Sequence, residues 1–200
     1  MWLMITNRAK LKQQTQTRVI DAATTLFHEL GFASTTIRDI AEKAGVSAGT
    51  VIGVGDKNAL LVKVFDDLIA QVHTEREQIS VASDNTADSC VSRLERLVEP
   101  FISIFTTNLS LSRSYAAILV MGTHPSALFT ELAGQLIGEF STAITAGNCT
   151  DRKNAEAQSR ALYSAYVGAL FTWSASGFTD ENQLRTSVHN VFTAICTCRE

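Results

Sequence analysis

Small polar and methyl-bearing side chains lie together in the segment AGVSAGTV, residues 44–51. Ser47, Ala48 and Thr50 follow a glycine, and all three are small. Such side chains would let a helix lie deep in the major groove of DNA, where hydroxyl groups reach base edges and methyl groups contact thymine. The segment therefore predicts a short helix that reads bases. The alternative is an ordinary helix pair with a glycine turn that binds no DNA.

The elements around this segment are predicted to be helices. Thr36 and Asp39 have the spacing of a capping box, and apolar residues behind them repeat at helical intervals. Gly45 is expected to end this second helix, Ser47 to cap a short third one, and Asp56 to cap a long fourth one.

The first helix is predicted to begin near Thr15 or Thr17 and to end at Gly31. Residues 1–18 carry four basic and no acidic side chains. Lys10 and Lys12 are therefore expected to form a disordered arm that enters the minor groove.

Charge and composition divide the chain into a head and a body. Of 200 residues, 46% are hydrophobic, and the net charge is −3. Residues 1–60 hold seven Lys and Arg against five Asp and Glu, whereas residues 61–200 hold ten against fifteen. We predict an all-α protein with a DNA-binding domain at 1–60 and a ligand-binding and dimerisation domain at 61–200.

Further helices are predicted along the body, and no segment favours a strand. Residues 80–88 are polar and predict a break, and turns are expected at 122–126 and 146–151. A helix from about 87 to 107 contains Pro100, where a kink is expected. Another helix lies between the two turns. The last two helices are predicted at about 152–176 and 180–198.

The body is expected to hold an apolar pocket for a small molecule. Since aromatic residues at helical spacing are often simply core, each candidate has that alternative. Charged groups are scarce among them, which favours an apolar or aromatic, neutral or weakly polar ligand. The predicted ligand-binding residues are Phe101, Phe105, Tyr115, Met121, His124, Phe129, Tyr163 and Tyr166.

The last two helices carry small residues at close spacing, including Ala161, Ala165, Gly168 and Ala169. From the residues alone, this surface is either monomer core or the seam of a dimer in which two helices from each subunit form a four-helix bundle.

Residues 18–61, RVIDAATTLFHELGFASTTIRDIAEKAGVSAGTV followed by GDKNALL, resemble the N-terminal domain of the TetR/AcrR family of bacterial transcriptional regulators. The resemblance implies an all-helical homodimer with a three-helix DNA-binding head and a ligand-binding body that dimerises. The matching residues are Ala22, Ala23, Leu26, Phe27, Gly31, Phe32, Thr36, Ile40, Ala41, Ala44, Gly45, Val46, Ser47, Gly49, Thr50 and Lys57.

One departure from the family pattern concerns phosphate contacts. Family members usually carry a tyrosine and an aromatic pair after Gly-Thr, whereas this chain has Ile52, Gly53 and Gly55 in a run one residue shorter. The lost hydroxyl predicts weaker DNA binding by roughly 1.5–3 kcal/mol. Arg38 is a further donor or an ordinary surface residue. The predicted DNA-contacting residues are Thr36, Arg38, Ser47, Ala48, Gly49, Thr50, Lys57, Lys10 and Lys12.

The sequence thus predicts a cytoplasmic, ligand-responsive transcriptional repressor that binds a palindromic operator in double-stranded DNA as a homodimer through its last two helices. The alternative is a helical dimeric ligand-binding or interaction protein whose head has lost DNA binding. No catalytic motif, cofactor motif, signal peptide or membrane span is recognised. Cys196, Cys198 and His189 fit no standard zinc spacing, and the four cysteines are expected to be reduced thiols.

Overall fold

The computed structural model describes residues 2–79, 89–147, 150, 152–177 and 179–196. Within these ranges every regular element is helical, which confirms the predicted all-α class. The helices are α1 (Trp2–Leu30), α2 (Ile37–Ala44), α3 (Ala48–Val54), α4 (Lys57–Ile79), α5 (Cys90–Thr107), α6 (Leu109–Met121), α7 (Glu131–Ala146), α8 (Arg152–Ala175) and α9 (Glu181–Ile195), with a 3₁₀ turn at Ala127–Phe129.

The predicted start of the first helix was wrong. α1 begins at Trp2, so Lys10 and Lys12 lie on a helix and not in a disordered arm. The hydroxyl groups of Thr15 and Thr17 donate to the carbonyls of Leu11 and Gln13, at 2.9 and 3.1 Å, one turn earlier in the same helix. Both threonines are therefore interior helix residues and cap nothing.

The chain forms two compact units, the first made of Met1–Asp67 and Arg113–Pro125 and the second of Leu68–Ser112 and Ser126–Glu200. The first unit packs α1 against α2 and α3, with Phe27, Ile40 and Val51 fully buried. A helix not predicted from the sequence, α6, adds Tyr115 to this unit; the Tyr115 ring stacks on Phe65 with 4.2 Å between centroids.

The second unit is built around α7, α8 and α9, with α5 packed against α7 and α9. Leu94, Phe140, Leu162 and Phe192 are fully buried there. α5 extends through Pro100 as one helix. The predicted polar break at residues 80–88 lies outside the described residues. Among the helices that the structure describes, none is long and apolar enough to cross a bilayer.

Candidate functional site

The turn between α2 and α3 has the geometry that the sequence predicts. Thr36 Oγ1 accepts a hydrogen bond from the Asp39 amide at 3.2 Å, and the Asp39 carboxylate accepts one from the Thr36 amide at 2.8 Å. Gly45 adopts the left-handed conformation with φ 64°, which favours glycine. Val46 then donates its amide to Ala41 at 3.0 Å. These local bonds fix where α3 leaves the turn.

The small residues of α3 lie at the surface. Ser47 and Gly49 are exposed, and Ala48 and Thr50 are half-buried, whereas Val51 on the opposite side anchors the helix in the core. Ser47 Oγ accepts from the Thr50 amide at 3.1 Å and lies 2.9 Å from Thr50 Oγ1. These hydrogen bonds give α3 a rigid, open face with few long side chains. Close approach of a helix to a DNA groove requires such a face.

Basic residues of α1 extend this face. Arg8 and Lys12 line a groove of about 1020 Å³ together with Thr50 and Gly53 of α3. Lys10 lies on the same helix but lines a different groove, made of α1 residues alone. Arg38 and Thr36 are exposed on and just before α2. The structure therefore brings Lys12 beside the predicted recognition helix, and Arg8 is a neighbour that the predicted set did not include.

The shortened segment after Thr50 leaves an isoleucine in solvent. Ile52 is 62% exposed. Gly55 has a packing reason to be glycine, because a Cβ there would lie 2.9 Å from Ala59 Cβ. The end of α3 thus packs tightly on the start of α4, while Ile52 faces outward where a tyrosine would fit.

Lys57 has an internal role that the sequence did not predict. Its ammonium group donates to the carbonyls of Phe32 and Thr35 at 3.0 and 3.1 Å, lies 3.4 Å from that of Ala33, and sits 4.5 Å from the centroid of the Phe32 ring. The ammonium group thereby donates hydrogen bonds to carbonyls of the loop that leads to Thr36, the N-cap of α2. Lys57 positions α2 and does not extend its ammonium group into solvent.

We expect Lys57→Met to lower the free energy of unfolding by about 2 kcal/mol, because the change removes charge-assisted hydrogen bonds to partly buried carbonyls. Urea unfolding of the full chain measures this. Lys43→Met is the matched control, since Lys43 forms only an exposed ion pair with Glu29 at 3.5 Å. Equal stability of the two variants would contradict the internal role of Lys57.

The predicted ligand-binding residues divide between the two units. Phe101, Phe105, Tyr163 and Tyr166 are buried in the core of the second unit, whereas Phe129 is exposed there. Three others belong to the first unit: Tyr115 donates to Asp66 at 3.3 Å, His124 lies 3.6 Å from Asp56, and Met121 is exposed. The four buried rings of the second unit are the part of the predicted set that shares one core.

A polar cluster that the sequence analysis missed lies in the same core. His73 and Arg76, on α4, both face Glu139 of α7, and both pack on the Phe101 ring, with centroid distances of 4.8 and 5.3 Å. Burial raises the pKa of Glu139, but His73 and the Arg76 guanidinium outweigh it, and the pKa lies below its ordinary value. Glu139 is therefore a carboxylate at neutral pH.

Several hydrogen-bonding atoms of this core have no partner among the described residues. They are Arg76 Nη1, the Tyr166 hydroxyl and His73 Nδ1, which lies 3.4 Å from Glu139 without hydrogen-bond geometry. Burial raises the pKa of Tyr166 well above its ordinary value and that of Tyr163 to about 12, so both phenols stay protonated. Buried polar atoms of this kind are candidates to bind a polar group of a ligand.

The small residues of α8, which the sequence leaves as either core or dimer seam, divide between the two environments, and Ala169 is buried. Ala161, Gly168 and Thr172 are exposed on α8, and a groove of about 500 Å³ runs between α8 and α9. Leu184, Val188 and Phe192 instead point into the core. Among the described residues no group of three His, Cys, Asp or Glu side chains could hold a metal ion, and Cys198 lies outside them.

The helices α1, α2 and α3, with the tight turn between the second and the third, form a helix-turn-helix head, and a larger helical body follows. Residues 19–53 match the family model of bacterial regulatory proteins, tetR family. Two Pseudomonas putida proteins, the HTH-type transcriptional regulators TtgR and ArpR, are each 32% identical to this chain over 81 residues. That match covers 40% of this chain and only 39% of either regulator.

Solved structures show the same fold over nearly the whole chain. The Thermus thermophilus FadR repressor in complex with lauroyl-CoA has a TM-score of 0.66 at 20% identity and covers 90% of this chain and 92% of its own. A TetR regulator from Rhodococcus sp. RHA1 has a TM-score of 0.64 at 16% identity, covering 94% of this chain and 98% of its own. The match to the tetR family model is thus confined to residues 19–53, and the chain as a whole shares the fold of these solved TetR regulators.

Proposed function

We propose that the protein is a ligand-responsive transcriptional repressor that binds a palindromic operator as a homodimer and is released by a small molecule. The observation that carries the proposal is the open α3 face of Ser47, Ala48, Gly49 and Thr50 beside the basic residues of α1. A dimer with both heads on one side of DNA would read half-sites about 34–36 Å apart. The head at 1–60 binds DNA, and the body at 61–200 binds ligand and dimerises.

Selection of bound fragments from genomic DNA with the purified full chain tests the proposal. A repressor of this kind recovers fragments with a shared inverted repeat, and its affinity falls with rising salt at a slope set by its phosphate contacts. The second candidate, a ligand-binding protein without DNA affinity, is favoured by Ile52, because this exposed side chain cannot donate a hydrogen bond to a phosphate. It would recover no common sequence and give no binding at low salt.

We expect Ile52→Tyr to tighten DNA binding about tenfold, because the new hydroxyl adds a hydrogen bond to a phosphate. Fluorescence anisotropy on a selected fragment measures the change. Ile52→Phe is the matched control, since it has the same ring without a donor. If both variants bind equally, the side chain at this position does not contact the phosphate backbone.

The homodimer is proposed to form through α8 and α9, and Gly168 offers a test. A Cβ added at Gly168 meets no atom within 4 Å and the position is exposed, so Gly168→Arg should fold normally yet block close helix approach between subunits. We expect the dimer Kd to rise about tenfold or more in sedimentation. Gly134→Arg on α7, equally open, is the control and should leave the dimer intact.

The effector is proposed to bind in the core of the second unit, with the aromatic rings around its apolar part and a polar anchor at Arg76 and Tyr166. Besides the Thermus thermophilus FadR, a second structure of similar fold was solved with an acyl-CoA: the Bacillus subtilis FadR with stearoyl-CoA, at a TM-score of 0.52 and 17% identity. Acyl chains are therefore the first ligands to test, and suitable probes are lauroyl-CoA, lauric acid and dodecanol. Thermal stabilisation and loss of bound DNA with the same probe would support an effector of that class.

The proposed relay from ligand to DNA is α4, which starts beside α3 with Lys57 and carries His73 and Arg76 near its end. A ligand shifts the equilibrium between two conformations only if it binds one more tightly. If every probe that stabilises the protein leaves DNA affinity unchanged, this relay is wrong, whereas the assignment of the DNA-binding head is unaffected.

A further inference from the structure

Two cysteines from distant parts of the sequence meet in the second unit. Cys90 is the first residue of α5, and Cys196 is the residue that ends α9, 106 positions later. Their sulfur atoms are 3.9 Å apart, both are free thiols, and they are only 5% and 9% exposed. A disulfide needs about 2.05 Å between sulfurs, so closing the bond requires the two sulfur atoms, both at helix ends, to approach each other by about 1.9 Å.

The two thiols are chemically different. The hydrogen bond from Cys196 lowers the pKa of Cys90 to about 7 against the opposing effect of burial, and the charge of Arg93 assists. The same hydrogen bond and burial raise the pKa of Cys196 well above its ordinary value. Cys90 is therefore the more acidic thiol of the pair and is partly ionised to the thiolate at neutral pH, whereas Cys196 stays protonated beside it.

We propose that Cys90 and Cys196 are a site of reversible oxidation by hydroperoxides, in which they close a disulfide between α5 and α9. The Cys90 thiolate attacks the O–O bond of hydrogen peroxide, which leaves a sulfenic acid and, after protonation, one water. Cys196 sulfur then attacks the Cys90 sulfur, its proton leaves with the hydroxyl group, and a second water forms. Two thiols and one peroxide thus give one disulfide and two waters, and a small thiol reductant restores the pair.

Peroxide treatment of the reduced full chain tests the site. We expect loss of two thiols and a tryptic species joining Cys90 to Cys196 that dithiothreitol removes. Because the bridge closes a loop of 106 residues, the oxidised protein should also melt on the order of 10 °C higher. Cys196→Ser should stop at a sulfenic acid on Cys90, trapped by dimedone, whereas Cys90→Ser should leave Cys196 unmodified.

Cys149→Ser and Cys198→Ser are the matched controls and should oxidise like the parent protein. A disulfide that instead involves Cys149 or Cys198, or no loss of thiols, would overturn the proposal. An assay on the parent protein avoids any folding defect of the serine variants. The alkylation rate of Cys90 by iodoacetamide should rise with a midpoint near pH 7, and a midpoint at the ordinary thiol value of 9.0 would contradict the assigned nucleophile.

Discussion

Gly49→Glu is expected to weaken DNA binding by about 100-fold or more while the protein stays folded. The position is exposed on α3, and an added Cβ meets only Ser47 Oγ at an ordinary 3.7 Å. Glutamate also has a higher helix propensity than glycine, so the short helix should not lose stability. A carboxylate on this face would be repelled by the DNA phosphates, and bringing like charges together costs several kcal/mol of binding free energy. A loss of about 2.7 kcal/mol corresponds to a factor of 100 in Kd.

Gly49→Gln separates charge from size, because glutamine has the same shape as glutamate and no charge. We expect Gly49→Gln to lose less than about tenfold in DNA affinity, because its side chain is bulky but is not repelled by the phosphates. Anisotropy titrations of a selected fragment at two salt concentrations measure both variants, and urea unfolding verifies that both fold. Equal losses would mean that bulk alone blocks the groove. No loss in either variant would show that this face of α3 does not meet DNA.

The features predicted correctly in the head depend on local hydrogen bonds. The capping box of Thr36 and Asp39 and the left-handed Gly45 involve residues within a few positions of one another, so their types and spacing suffice. The start of α1 was missed for a related reason. A threonine hydroxyl can cap a helix or bond back to the preceding turn, and the sequence around Thr15 and Thr17 does not distinguish the two roles.

The polar groups of the site depend on contacts distant in the sequence. Lys57 bonds to a loop 22 to 25 positions away, and Arg76 pairs with a glutamate 63 positions away. Nothing local distinguishes these side chains from solvated surface charges. The i, i+3 spacing of His73 and Arg76 does place them on one helix face, and that spacing was the available signal. Which helix they meet is decided by tertiary packing.

The second large effect is expected when a substitution removes the ion pair between Arg76 and Glu139, which this packing brings together. The two side chains keep only 15% and 28% of their exposure. Arg76→Met leaves a half-buried carboxylate with His73 as its polar neighbour, and we expect the free energy of unfolding at pH 7 to fall by about 2–4 kcal/mol. Because the pKa of Glu139 is lowered in the folded protein, the pair stabilises above the ordinary value of 4.5, and this stability is lost as pH falls through the folded pKa. The difference between parent and Arg76→Met should therefore shrink in acid.

A double-mutant cycle with Glu139→Gln isolates the pair from the packing of either side chain. Each single change leaves one charged or polar partner unmatched in the core, whereas the double variant removes both charges together. The double variant should therefore lose less free energy of unfolding than the two single variants lose in sum. Urea unfolding of the four proteins gives the coupling. If the loss of stability in the double variant equals the sum of the two single losses, solvent already screens the ion pair. The guanidinium group would then contribute little to stability through Glu139 and would be available to bind an anionic group of a ligand.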